Sequence, residues 1–337
     1  MRKVSTYKMA FTLLAATSLL AGCSGDDFNE NANVNSDGNE ITFTTNISNI
    51  PTGKASLYNS TSDLQTEGSF TCTAYNATTT TPYIEPSTVV WNDTENDGAD
   101  KWQFANGIEH GWPGVSALDF FAYMPATKPS YISSISYSTA RQPQFVCTTL
   151  PSDQSSIKEF VCAIATDKTK DNSSSGVSMQ FKHPFAILKF KLDPASGTGV
   201  TINWVRIEED DNAGHGIKTG GTCTIDGTVA NWSSRHADEV FTWSSLTGDT
   251  YIEAKADETP YLVIPNDYSA TKMRISVNAT WTSSLSTTTL TKTATVQNVE
   301  KDEKKLMNWE AGYSYLFTLK LTDKLEVNTA KYTVEQW

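Results

Sequence analysis

The chain has 337 residues, room for two domains of ordinary size. A formal net charge of −12 repels phosphate backbones and argues against nucleic acid as a partner. Hydrophobic residues reach only 38% while aromatics reach 11%, and runs of Thr, Ser and Asn fill the gaps, which suits thin β-sheets with one buried face and not a helical bundle.

Arg2, Lys3 and Lys8 form a basic region ahead of the apolar run 9–20. That run is too short to span a bilayer and has the length of an export signal. Leu20-Ala21-Gly22-Cys23 closes it in the pattern of a bacterial lipobox. The protease needs small residues before the cut, and the cysteine thiol takes the diacylglycerol. Residues 1–22 are therefore expected to be a lipoprotein signal peptide, with Cys23 the lipidated first residue of the mature chain. Ser24-Gly25-Asp26-Asp27 resembles the acidic surface-export signal of Bacteroidota lipoproteins, which implies a place on the cell outer membrane, facing outward. Residues 23–40, polar and Asn-rich, read as a flexible tether.

Strand signals begin at Ile41. Ile41, Phe43, Thr45 and Ile47 alternate with polar residues, as in a half-buried strand, and Pro51-Thr52-Gly53-Lys54 breaks the run. Phe70, Cys72 and Ala74 alternate next. A Thr cluster with two prolines at 78–86 precedes Val89-Val90-Trp91. Residues 118–124 form a dense apolar strand stopped by Pro125, and residues 160–165 form another. Asp171-Asn172-Ser173-Ser174-Ser175-Gly176 is the best linker, so one domain is expected at 41–175 and a second at 176–337. From Val177 to Ile187 apolar residues alternate, then the phase flips at Leu188, which predicts a β-bulge. Ile202 with Trp204, residues 261–264 and residues 273–281 give further strands. Tyr313, Tyr315, Phe317, Leu319 and Leu321 give the strongest of all, and residues 325–337 read as one more extended segment. No stretch of twelve residues past 40 carries helical periodicity. Many short strands between turn signals predict an all-β fold built of β-sandwiches.

Four cysteines follow Cys23: Cys72, Cys147, Cys162 and Cys223. None is spaced as Cys-x-x-Cys and no His pair is near, so no zinc site is expected. Cys147 and Cys162 lie in apolar runs that could be neighbouring strands joined by a disulfide. The favoured reading is four small buried hydrophobes. The acidic loop 93–100 places oxygen ligands at alternate positions, but the twelfth position is Phe104 and the flanks read as strands. It is taken as a solvated hairpin loop and no metal is expected. Glu208-Glu209-Asp210-Asp211 is a run on one loop, not two carboxylates facing across a cleft, and is expected to be solvated. His110, His183, His215 and His236 are scattered, with His183 placed as a packed strand residue. No Gly-x-Ser-x-Gly, His-Glu-x-x-His or phosphate loop occurs. No catalytic residue, cofactor or enzyme activity is therefore expected. The nine Trp offer a sugar-stacking platform, though most are expected to be core or strand-pair anchors.

The ordered set of segments is similar to the fimbrillin family of Bacteroidota, the Mfa-like and FimA-like subunits of type V pili. The pieces that carry the likeness are the lipobox at Cys23, the strand 41–47 with a basic residue soon after it, the Trp-rich stretch 91–112 and residues 117–125. Residues 177–191 follow, with Phe181-Lys182-His183-Pro184 inside them, then Trp309-Glu310-Ala311-Gly312-Tyr313-Ser314-Tyr315 before the last strand. The resemblance implies two tandem transthyretin-like Greek-key β-sandwich domains. It also implies a mechanism: a trypsin-like protease cuts after the first strand, that strand leaves, and an extended segment of another fimbrial subunit fills the groove. Carried onto this chain, the cut falls between Lys54 and Ala55, where the family more often has Arg. The donor strand is 325–337, with Leu325, Val327, Tyr332 and Val334 as its alternating apolar residues. Adhesion at the fimbrium is the function so implied. The alternative is a surface glycan-binding lipoprotein of a polysaccharide-uptake system, which would share the lipobox, the export signal and the sandwiches.

Overall fold

The structure, a computed structural model, describes residues 39–47, 57–76, 79, 81–92, 101–114, 116–137, 142–151, 154, 156–193, 199–209, 216–227, 229–236, 241–247, 260–296, 300–301, 304–305, 307–322, 325–327 and 333–336. The first part of the chain runs β1 (Phe43–Ile47), helix α1 (Thr61–Glu67), β2 (Ser69–Asn76), β3 (Pro82–Asn92), β4 (Lys101–Phe104), β5 (Leu118–Met124), β6 (Ile132–Tyr137), β7 (Pro143–Cys147), β8 (Val161–Lys168) and β9 (Val177–Phe181). The second part runs β10 (Ala186–Leu192), β11 (Val200–Glu209), β12 (Gly220–Asp226), β13 (Val229–His236), β14 (Phe241–Thr247), β15 (Tyr261–Val263), β16 (Asn266–Asp267), β17 (Met273–Thr282), β18 (Thr287–Val296), β19 (Glu300–Lys301), β20 (Lys304–Lys305), β21 (Asn308–Trp309), β22 (Tyr313–Leu321), β23 (Leu325–Val327) and β24 (Thr333–Gln336). The fold is all-β, as its alternating sequence demands.

Seven strands form the first sheet, in the order β8-β5-β2-β3-β4-β1-β9. Its two ends meet. Cys162 of β8 and Lys182, just past β9, exchange backbone hydrogen bonds of 3.1 and 2.8 Å, so the sheet rolls around a core of its own. Phe70, Trp102, Phe120 and Phe181 fill that core. Pro82 and Pro86 sit inside β3 without breaking it. Pro82 is its first residue, and the β2–β3 register slips between Ser87 and Ile84, leaving Pro86 in an irregularity where no ladder donor is needed.

Val177 to Leu192 is two strands, not one bulged strand. Pro184, lacking an N–H, stands in the gap, and the chain leaves the first sheet there. β9 pairs with β1, while β10 lies between β15 and β22 in another sheet. Nearly every β10 residue is buried, because both faces are covered, and that is the origin of the phase flip.

Three larger sheets follow, β15-β10-β22-β23 with β24 also on β22, β14-β11-β17-β18, and β13-β12-β7-β6, beside two-stranded ribbons β16-β21 and β19-β20. Residues of the three larger sheets share a second core that includes Phe145, Phe185, Phe190, Ile207, Val277 and Phe317. The hairpin β6–β7 comes from the first part of the chain but pairs with β12, Cys147 facing Gly221 and Phe145 facing Cys223. Cys147 and Cys162 thus lie in different sheets. All four described cysteines are free and buried, and burial pushes the Cys147 and Cys162 thiols up to about 12.

Gly220 of β12 has no room for a side chain, since a Cβ there would collide with the Thr148 carbonyl oxygen and the His236 ring. Gly220→Ala is expected to lower stability by about 1–3 kcal/mol. Urea unfolding should show a lower midpoint with an unchanged slope.

Candidate functional site

The first strand occupies a slot of its own. β1 runs parallel to β9 over five pairs, from Phe43 opposite Val177 to Ile47 opposite Phe181. On its other side, among the described residues, only Phe43 pairs with β4, opposite Trp102. Just ahead of the strand, Ile41 N–H donates to the His110 carbonyl at 2.8 Å and Trp112 N–H to the Asn39 carbonyl at 3.1 Å. Burial alternates as the sequence predicts: Phe43 and Ile47 are inside, Thr44 and Asn46 outside. The slot floor is aromatic. Phe43 meets Phe70, Phe104 and Phe120 edge-on, at centroid distances of 5.7, 5.4 and 5.9 Å, a favoured ring geometry. One residue fits poorly. The Thr45 hydroxyl is buried with no hydrogen-bond partner among the described residues, a cost of about 1–3 kcal/mol for such a group.

Past residue 56 the chain is pinned at once. Leu57 and Tyr58 are buried. Tyr58 N–H donates to Glu159 Oε2 at 3.0 Å, and Glu159 Oε1 lies 2.7 Å from His183 Nδ1. Both side chains of that pair are all but inaccessible, at 0% and 1%. Burial raises the Glu159 carboxyl, while His183 and the Tyr58 N–H pull it back down. Next, Ser60 caps α1 by accepting from Asp63 N–H, Asp63 accepts from Asn59 N–H at 2.7 Å, and Gly68 closes the helix in the left-handed region. Glu159 thus ties three segments together: the start of α1, the approach to β8 and the exit from β9.

The C-terminal segment lies on the open side of β22. β23 pairs through Leu319–Val327, Lys320–Glu326 and Leu321–Leu325, and β24 through four pairs from Tyr313–Gln336 to Leu316–Thr333. Both are antiparallel to β22. Leu325 is buried, and Lys320 Nζ lies 3.3 Å from Glu326 Oε2. Val334 stands opposite Tyr315.

Cys23, Lys54, Ala55 and Tyr332 lie outside the described residues, as do the acidic loop 93–100, Asp210, Asp211 and His215. Glu208, expected in solvent, is instead 3% exposed. It lies directly opposite Arg274 in the β11–β17 ladder and is held by Arg274 at 2.7 Å and Arg206 at 2.8 Å. A run of acids in sequence hides this, because alternate residues of a strand face opposite ways. His183 is packed, as expected, though it lies past the end of β9 and not within a strand, and its partner Glu159 carried no sequence signal: two lone polar residues in apolar stretches gain meaning only when the fold joins them.

A family model described as fimbrillin-like matches residues 54–337. A crystal structure of a candidate cell adhesion protein from Bacteroides ovatus ATCC 8483 is 14% identical with a TM-score of 0.53, covering 88% of this chain and 97% of that one. Another, from Bacteroides uniformis ATCC 8492, is 15% identical with a TM-score of 0.49, covering 90% and 100%. A fimbrial protein from Bacteroides ovatus ATCC 8483 is 13% identical with a TM-score of 0.35, covering 83% of this chain and 48% of that one. No curated protein matches the chain in sequence. At these identities the first likeness establishes a shared fold and nothing more. The family match spans well over half of the sequence, and on that ground the chain belongs to the fimbrillin-like family.

Proposed function

We propose that this chain is a fimbrial subunit with a structural, non-enzymatic role. It is exported as a lipoprotein on Cys23, assembles with other fimbrial subunits by strand exchange, and supports cell adhesion from the outer membrane. The observation that carries this reading, given the family, is the placement of β1 as an insert between β4 and β9. It is a single short strand in an aromatic slot, followed by a connection that contains Lys54, and the family match begins only at residue 54. A trypsin-like enzyme needs a basic residue before the cut, and Lys54 meets that need after Pro51-Thr52-Gly53. Cutting between Lys54 and Ala55 would free β1 while Glu159 holds Tyr58, three residues past the new N-terminus, in place. An edge segment of another copy, 325–337, would then supply main-chain hydrogen bonds and alternating apolar side chains. Two cores in one chain fit two tandem sandwich units, the first closed by β9.

Two variants test the steps separately. Lys54→Ala is expected to leave full-length monomer, and truncation after Asp323 to leave cleaved monomer, both read on unboiled SDS gels against a wild-type ladder of multimers. Wild-type chain that stays monomeric beside its protease would sink the exchange reading and favour a surface glycan-binding lipoprotein. Fimbriae containing the chain with its N-terminus at Cys23 would replace the subunit role with an anchor role.

A further inference from the structure

A cleft of about 610 Å³ opens where the exit from β9, the β12–β13 hairpin, β16 and the β21–β22 turn meet. That volume is in the range of small-ligand sites. Strand exchange at the β1 slot makes no use of it. Its walls are held by hydrogen bonds. Trp232 Nε1–H donates to the Pro184 carbonyl at 2.7 Å, and Gly312 N–H donates to the Phe185 carbonyl at 2.8 Å. The Tyr315 hydroxyl donates to the Asn308 carbonyl at 2.6 Å and accepts from Glu310 N–H at 2.8 Å. Asn266 and Asp267 pair in register with Trp309 and Asn308. A cleft pinned on each side is formed before any ligand arrives, which removes an ordering cost from binding.

The lining names the chemistry. Lys182 and Arg235 stand on the walls with Asp267 and Glu310, so cations and carboxylates balance. Among the described residues neither cation is held in an ion pair. Asn308 Nδ2 donates to Glu310 Oε1 at 3.2 Å and Asp267 Oδ1 accepts from Ser269 N–H at 2.8 Å, which fixes these groups at the cleft with lone pairs left for a ligand, and half-buried Tyr313 adds an aromatic ring. Val229, an apolar residue left 56% exposed, stands at the rim. Donors and acceptors interleaved around a ring suit vicinal hydroxyl groups above an apolar C–H face. Zero net lining charge in a chain of −12 disfavours an anion.

We propose that this cleft binds a neutral saccharide of one to four units, through Arg235, Asp267, Glu310 and Asn308 to its hydroxyls and Tyr313 to its face. The full chain should be applied to an array of neutral oligosaccharides of that length, with sialylated and uronic-acid glycans as charged controls. Retained sugars are then titrated by calorimetry. Arg235→Ala and Asp267→Ala, both at exposed positions, are each expected to weaken binding by about tenfold or more. Val229→Arg, which fills the rim, is expected to abolish it. Leu285→Ala, at a remote hairpin tip, should leave it unchanged, as should Lys54→Ala, so that loss of assembly and loss of sugar binding are told apart. Circular dichroism confirms that each variant is folded. Retention of no neutral sugar, retention of charged glycans alone, or wild-type affinity in Arg235→Ala and Asp267→Ala together would overturn the proposal.

Discussion

Glu159→Ala is expected to lower stability by about 3 kcal/mol, because it leaves two buried polar groups without their hydrogen-bond partner. Two groups lose a hydrogen-bond partner at once: the His183 ring at 2.7 Å and the Tyr58 N–H at 3.0 Å. Water cannot take over, because both side chains are at most 1% exposed. Glu159→Gln keeps the shape and one carbonyl oxygen for Tyr58, and should cost about 1–2 kcal/mol. Urea melts followed by tryptophan fluorescence give both values. A Glu159→Ala cost below that of Glu159→Gln would refute the account. Amide exchange should further show Tyr58 and Lys182 losing protection together, since one carboxylate anchors both neighbourhoods.

The second large effect is expected at β1. Phe43→Ala removes the ring that three others meet edge-on and should cost about 3–5 kcal/mol. Thr45→Val should act in the opposite direction. It replaces a buried hydroxyl without a partner among the described residues by a methyl of similar size, and is expected to gain about 1 kcal/mol. The pair of variants separates two causes. If burial alone set the hold on β1, Thr45→Val would be neutral, and a stability rise by chemical denaturation is the result that distinguishes them. On the proposed function, Phe43→Ala should also speed multimer formation after cleavage and Thr45→Val should slow it.

Half-buried strands were the legible part of this fold. β1 and β17 each have one face on a core and the other largely outside, so their residues must alternate, and the sequence shows it directly. Strands covered on both faces lose that mark. β10 is buried almost throughout, and its junction with β9 looks like a bulge until Pro184 is seen to separate two sheets. Pairings between distant segments were illegible for a different reason. Nothing local to Pro143–Cys147 announces that it meets Gly220–Asp226, because the hydrogen bonds are made by main chain, which every residue has. At the site, the slot strand could be read from alternation, whereas the Glu159–His183 pair could not. The solvated reading of Glu208 failed on register, since Arg274 opposite it is 66 residues away in the chain.

The neighbours of β1 run in opposite directions to each other, since β1 is antiparallel to β4 and parallel to β9. Any strand seated between them therefore makes one ladder of each kind, whichever way it points. The choice of direction decides only which neighbour receives the antiparallel ladder. In the native arrangement the long contact, five pairs along β9, is the parallel one, and the single pair with β4 is the antiparallel one. Parallel ladders are slightly weaker per residue. A segment arriving head-first where β1 lay tail-first would turn the five-pair contact into the stronger kind and give up almost nothing on the other side. The molecule thus holds its own strand in the less favourable sense of travel, and a filament built through this slot would inherit its polarity from that asymmetry.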